Sequence, residues 1–261
     1  MLVESLETRK LLTATLSGSI LTITGTDRPD RIAMERVPGG FRVHETTSGQ
    51  TNITSWTLAQ VSKIVIRSGD AGDFVNIGKL AIPCDIFGGK GTDTLSGGGG
   101  NDTIRGEGGN DNLFGSDGRD LLNGGIGADE ILGGGGKDTV DYNQRTANLT
   151  IGLGTAADDG EAGEGDNVRT DIEIVIGGSG NDRISTNSGR PVEFFGRAGN
   201  DTLIGGSGAD ILDGGAGNDS IMGQGGNDII QAADGQIDTI SGGGGVDDGT
   251  FDDNDVLSDV P

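Results

Sequence analysis

From Gly88 to Asp141 the chain repeats itself every nine residues, as GGKGTDTLS, GGGGNDTIR, GEGGNDNLF, GSDGRDLLN, GGIGADEIL and GGGGKDTVD. Aspartate recurs at Asp93, Asp102, Asp111, Asp120, Asp129 and Asp138. An apolar residue follows each by two places, at Leu95, Ile104, Leu113, Leu122, Ile131 and Val140. A second block begins with GGSGNDRIS at Gly177 and resumes at Gly196 with GRAGNDTLI, GGSGADILD, GGAGNDSIM and GQGGNDIIQ. Its aspartates are Asp182, Asp201, Asp210, Asp219 and Asp228, and its apolar partners are Ile184, Leu203, Leu212, Ile221 and Ile230. A fixed internal period of this kind is the signature of a repeat architecture, in which each unit buries its apolar residue only against its neighbours.

The pattern G-G-x-G-x-D-x-U-x resembles that of the RTX proteins, the hemolysin-type calcium-binding repeat family. All eleven units keep the first glycine, the fourth-position glycine, the aspartate and the apolar residue. The second glycine drifts to Glu107, Ser116, Arg197 and Gln224. The resemblance implies an all-β fold: a right-handed parallel β-roll, or β-solenoid, of nonapeptide repeats with two units per coil. It also implies several Ca²⁺ ions held between turns of adjacent coils, in rows along both edges. On that basis the expected ligands are Asp93, Asp102, Asp111, Asp120, Asp129, Asp138, Asp182, Asp201, Asp210, Asp219, Asp228, Asp238 and Asp247. Units two apart align, which gives about four sites in the first block and about two to four in the second.

Each repeat position has a physical reason. The first half of a unit must turn sharply, and glycine alone accepts positive φ without steric cost. The aspartate offers carboxylate oxygen to Ca²⁺, a hard ion that takes six to eight oxygen ligands. One carboxylate per turn is too few, so turn carbonyls and a stacked neighbour's aspartate must complete the shell. The closing x-U-x makes a very short strand with U pointing inward. Two units close a coil, so Leu95, Leu113 and Ile131 should stack in one sheet and Ile104, Leu122 and Val140 in the facing one. One buried apolar side chain does not offset the entropy of ordering nine residues, and metal binding must supply the difference. The rival calcium motif, the EF-hand, needs a twelve-residue loop between helices and does not fit a period of nine.

Charge points the same way. The formal net charge is −23, and only 3% of residues are aromatic. Without cations such a chain repels itself. It also lacks the basic surface that nucleic acid demands and gains nothing at an anionic membrane. No run of about 18 apolar residues exists to span a bilayer. The 53 glycines do not signal collagen, because there are only 5 prolines. The single cysteine, Cys84, excludes an internal disulfide and reads as a small buried apolar residue. The single histidine, His44, excludes an H-E-x-x-H zinc site. No G-x-S-x-G elbow is present, and no enzymatic activity is expected.

The domain organisation expected from these features has six parts. Residues 1–12 contain Leu6-Glu7-Thr8-Arg9-Lys10-Leu11-Leu12, similar to the L-E-P-R-x-L-L motif of some bacterial extracellular proteins, with Thr8 in place of proline. That resemblance implies export; a charged cap on the first strand is the other reading. Met1 to Leu16 shows no apolar stretch of signal-peptide length. Residues 13–87 read as a degenerate β-solenoid cap, with Asp30-Arg31-Ile32 and Asp73-Phe74-Val75 still in phase. Residues 88–141 form the first roll block. Residues 142–176 are an insert, read as a surface hairpin or a binding loop, with a flexible acidic loop at 156–167. Residues 177–250 form the second block, interrupted by a ten-residue unit, Thr186 to Phe195, with Pro191 where aspartate should be. Residues 251–261 form an acidic tail, read as an export signal by resemblance or as a fraying terminus. The expected partners are calcium ions and, on an adhesin reading, a surface polysaccharide or matrix; the expected state is an extracellular monomer.

Overall fold

A computed structural model describes residues 12–154 and 156–260. The described residues fold as an all-β, parallel β-solenoid. The Leu6–Leu12 motif lies, apart from Leu12, outside them. None of them forms a helix long and apolar enough to cross a membrane.

One twelve-stranded sheet runs the length of the molecule. Its inward column reads Ile23, Ile66, Ile86, Ile104, Leu122, Val140, Val175, Phe194, Leu212 and Ile230, each paired in register with the next. All ten side chains are fully buried. The facing layer is divided. An eight-stranded sheet stacks Ile32, Val75, Leu95, Leu113, Ile131 and Val168. A seven-stranded sheet then stacks Ile151, Ile184, Leu203, Ile221, Ile240 and Leu257. Alternate repeats therefore lie on opposite faces, and consecutive coils are offset by 18 residues in the first block and by 18 or 19 in the second.

The strands are short because one apolar residue per unit is all the core requires. Thr139–Asp141, for example, has three residues, with only Val140 pointing inward. Polar residues flank it on the outer face, as period-two alternation demands.

The first coils depart from the roll. Thr13–Ser17 pairs antiparallel with Ile20–Thr26, and Asp30–Val37, Gly40–Thr47 and Gln50–Thr57 form an antiparallel meander. Ile20–Thr26 and Asp30–Val37 also pair in parallel with the roll, so the two sheets begin here.

The insert is woven into the solenoid rather than standing off it. Asn167–Val168 extends the eight-stranded sheet, and Ile174–Ile176 extends the twelve-stranded sheet. Leu149–Gly152 starts the seven-stranded sheet. The acidic loop is tied by an antiparallel bridge between Asp159 and Asp166. The apolar residues Leu149, Ile151, Val168 and Val175 are buried, which draws these short strands into the core. The interruption before Phe195 also differs from expectation. Val192, not Pro191, stands in the aspartate register, because its N–H donates to Asp210 Oδ1 at 3.0 Å. Phe194 then fills the inward position.

Candidate metal centres along the roll edges

Each repeat aspartate closes its turn just before a strand. The thirteen aspartates named above are only 0–3% exposed. In every one, Oδ1 accepts the backbone N–H of the corresponding residue one coil earlier. Asp93 donates to Asp111, Asp111 to Asp129, Asp102 to Asp120 and Asp120 to Asp138, at 2.8–2.9 Å. The same geometry runs from Asp182 to Asp201, Asp219 and Asp238, and from Asp210 to Asp228 and Asp247. The next residue returns a bond: Asn112 N–H donates to the Asp93 carbonyl at 2.8 Å. Each coil is thus clamped to its neighbour by a side-chain and a backbone bond.

The other carboxylate oxygen behaves differently. Oδ2 is buried without any partner in Asp73, Asp93, Asp102, Asp111, Asp120, Asp129, Asp138, Asp201, Asp219, Asp228 and Asp238. A buried oxygen that carries charge and finds no donor is costly. One such atom would be a local defect. Eleven of them, repeated along the coils, form a built feature.

Backbone oxygens share the space. A methyl group built on Gly88 would lie 2.7 Å from the Gly106 carbonyl oxygen and closer still to Asp93 Oδ2. The same cradle recurs at Gly106, between Asp111 Oδ2 and the Gly124 carbonyl. First-position glycine therefore leaves room where a carboxylate oxygen and a carbonyl from the next coil converge. Among the described residues no three His, Cys, Asp or Glu side chains converge as a metal cluster. The donor set is one carboxylate per turn plus carbonyls, all oxygen, and suits a hard cation such as Ca²⁺.

Backbone strain marks the same turns. Glu107, Ser116, Arg197 and Gln224 hold φ between +71° and +83°. A side chain in that region costs about 1–2 kcal/mol. All four lie in units whose aspartate Oδ2 is unpartnered. Strain maintained at a repeated place points to function.

Burial raises the carboxyl pKa values, with neighbouring carboxylates adding repulsion. Asp102, Asp129 and Asp201 are pushed up to about 7, and Asp93, Asp138 and Asp219 to about 6. Asp111, Asp120 and Asp228 move the same way. Backbone donation to Oδ1 lowers each value, but desolvation prevails. These groups need either a proton or a cation to be comfortable.

The ladders include acids that the nonapeptide pattern did not capture. Asp129 N–H donates to Asp166 Oδ1, Asp138 N–H to Glu173 Oε2, and Asp238 N–H to Asp255 Oδ1. The signal was present as an acid two residues ahead of an apolar one, in Asp166-Asn167-Val168, Glu173-Ile174-Val175 and Asp255-Val256-Leu257. Glycines that are missing, or out of phase as at Gly163 and Gly165, concealed it. Asp30 and Asp73, in phase within the N-terminal coils, also join, with Asp30 N–H donating to Asp73 Oδ1 at 2.7 Å and Asp73 N–H to Asp93 Oδ1 at 2.7 Å.

The family model for the RTX calcium-binding nonapeptide repeat matches four stretches of the chain, residues 87–122, 114–144, 170–190 and 195–230. No curated protein matches it. The matched stretches include all eleven aspartates of the perfect units in both blocks, from Asp93 through Asp228, and the coils in which they stack. These stretches are therefore RTX calcium-binding nonapeptide repeats, wound into a parallel β-roll.

Proposed function

We propose that this chain is an exported structural protein whose roll folds only when Ca²⁺ fills the turns. One observation carries this reading: eleven buried carboxylate oxygens without a partner, repeated along the coils. The residues that would hold the ions are those aspartates, together with turn carbonyls such as that of Gly106. The ion would supply the positive charge that the turns lack. In a medium poor in Ca²⁺ the same acids repel one another, and a chain of net charge −23 stays loose. Folding then follows arrival where Ca²⁺ is abundant, outside the cell. The role is structural because each repeat aspartate is committed to clamping its neighbour and to its turn.

The test is circular dichroism and limited proteolysis of the whole chain in calcium-free buffer and in millimolar Ca²⁺. The expected result is a disordered, protease-sensitive chain that becomes β-structured and resistant on adding Ca²⁺. A chain that is already folded and resistant in chelator, and gains no stability from Ca²⁺, overturns the reading.

A further inference from the structure

The unpartnered oxygens are not spread evenly along the ladders. Four ladders can be followed by the N–H to carboxylate bonds. The first runs Asp30, Asp73, Asp93, Asp111, Asp129, Asp166. Its four interior members all have an orphaned Oδ2. Its two ends do not. Asp30 Oδ2 accepts the Thr26 N–H at 2.6 Å, and Asp166 Oδ2 accepts the Tyr142 hydroxyl at 2.8 Å.

The second ladder runs Cys84, Asp102, Asp120, Asp138, Glu173. It opens on a residue with no carboxylate and ends on Glu173, whose Oε1 is bound by Arg190. The third runs Leu149, Asp182, Asp201, Asp219, Asp238, Asp255. Asp182 Oδ2 accepts the Gly178 N–H and Asp255 Oδ2 the Asp252 N–H, both at 2.7 Å, while the three between are orphaned. The fourth runs Val192, Asp210, Asp228, Asp247. Asp210 Oδ2 accepts the Gly206 N–H at 2.8 Å.

We propose that a row of cations stops where a donor of the protein itself takes the carboxylate oxygen that an ion takes in the interior of the row. Asp166, Glu173, Asp182 and Asp210 then hold no ion, and the array is two calcium-loaded segments separated by a metal-free joint made of these four turns. This rests on the calcium reading above and refines which turns it applies to.

Two independent features support the joint. The first is the backbone. Among the eleven nonapeptides, the second-position residue has a positive φ in all but two, and those two are Gly178 and Gly206. Glycine could adopt the positive φ most easily. It has instead turned its N–H onto the carboxylate, whereas Glu107, Ser116, Arg197 and Gln224 keep the strained geometry over orphaned oxygens. The second is charge. Arg145 bonds Glu164 at 2.7 Å and Glu161 at 3.0 Å, and Lys137 bonds Glu193 at 2.6 Å. Arg169 and Arg190 pair with Glu130 and Glu173. Protein cations thus gather across the joint, where the rows lack exposed demand for metal.

The experiment counts ions on the whole chain by native mass spectrometry in saturating Ca²⁺, beside a crystal structure of the wild type grown in Ca²⁺. Asp111→Asn and Asp219→Asn each lose at least one ion. Asp210→Asn and Asp182→Asn keep the wild-type count. In the crystal, ion density lies against Asp111, Asp120 and Asp219 and is absent from Asp166, Asp182 and Asp210. Loss of an ion from Asp210→Asn, or an ion against Asp166 or Asp182, overturns the proposal while leaving calcium binding standing. A wild type that takes up no ion overturns the calcium reading itself. If a variant fails to fold, the wild-type crystal decides.

Discussion

The Asp93 N–H donates to Asp111 Oδ1 at 2.8 Å, while Asp111 Oδ2, on the same carboxyl, is buried without a partner. The two oxygens therefore have separable duties, one to the neighbouring coil and one to a cation. Asp111→Ala removes both and leaves the Asp93 N–H unpaired in the interior. Its expected cost in Ca²⁺-saturated urea denaturation is about 1–3 kcal/mol. Asp111→Asn keeps an oxygen for the N–H but loses the charge. Its effect should appear mainly as a higher Ca²⁺ midpoint for folding. Equal behaviour of the two variants in both measurements would contradict the division of labour.

The raised carboxyl pKa values predict an inverted pH dependence without calcium. Asp102 and Asp129 sit near 7 and Asp93 near 6, all above the ordinary 3.8, chiefly through burial. A folded pKa above the unfolded one means that the folded state binds protons more tightly. The contribution is fully present below about pH 4 and is lost as pH rises through 6 to 7. The β signal in circular dichroism of the calcium-free chain should therefore be greatest near pH 4 and be lost towards pH 8. In millimolar Ca²⁺ the melting temperature should rise over the same range, as protons give way to the ion. A calcium-free β signal that grows with pH would exclude this linkage.

The roll itself was legible because its rule is local. Asp102-Thr103-Ile104 states in three residues the clamp, the outer face and the core, and nine-residue spacing then assigns Ile104 and Leu122 to one sheet and Leu95 and Leu113 to the other. The insert was not legible for the same reason. Val140 pairs with Val175 across 35 residues, a register that no fixed period announces. Tyr142, which meets Asp166 from outside the nonapeptide pattern, could not be placed from spacing. The ladder's continuation through Glu173 and Asp255 was hidden because those turns have no flanking glycines, although the acid-x-apolar triplet survived. The difference between Asp182 and Asp201 depends on a peptide orientation at Gly178, which composition does not encode.

Strain at the second turn position predicts a stabilising substitution. Gln224 holds φ +71°, is exposed, and precedes Asp228, whose Oδ2 is orphaned. Glycine accepts that φ freely, at the expense of greater freedom in the unfolded chain. Gln224→Gly should therefore raise stability in Ca²⁺ by a few tenths to about 1 kcal/mol. Gly223→Ala, one residue earlier, should do the opposite, because its methyl would intrude on Asp228 Oδ2 and, at 2.6 Å, on the Gly242 carbonyl. Urea melts of both variants check the pair, and matching signs would be inconsistent with the turn geometry.

Cys84 offers a built-in reporter of coil opening. It stands at the aspartate register of the second ladder, with its N–H donating to Asp102 Oδ1 at 2.7 Å. Its side chain is fully buried, and burial, then the nearby Asp102 carboxylate, drives the thiol pKa up. A thiol that is both inaccessible and protonated does not react. In Ca²⁺ a water-soluble thiol reagent should modify Cys84 only through rare opening of the roll. On chelation the acids of the neighbouring coils lose their counter-charge, the strand Cys84–Lys90 separates from its partners, and modification should accelerate by orders of magnitude. Following the reaction by mass against free Ca²⁺ should yield a midpoint that coincides with the one from circular dichroism. A thiol equally slow with and without Ca²⁺ would show that the coils around Cys84 hold together on their apolar column alone.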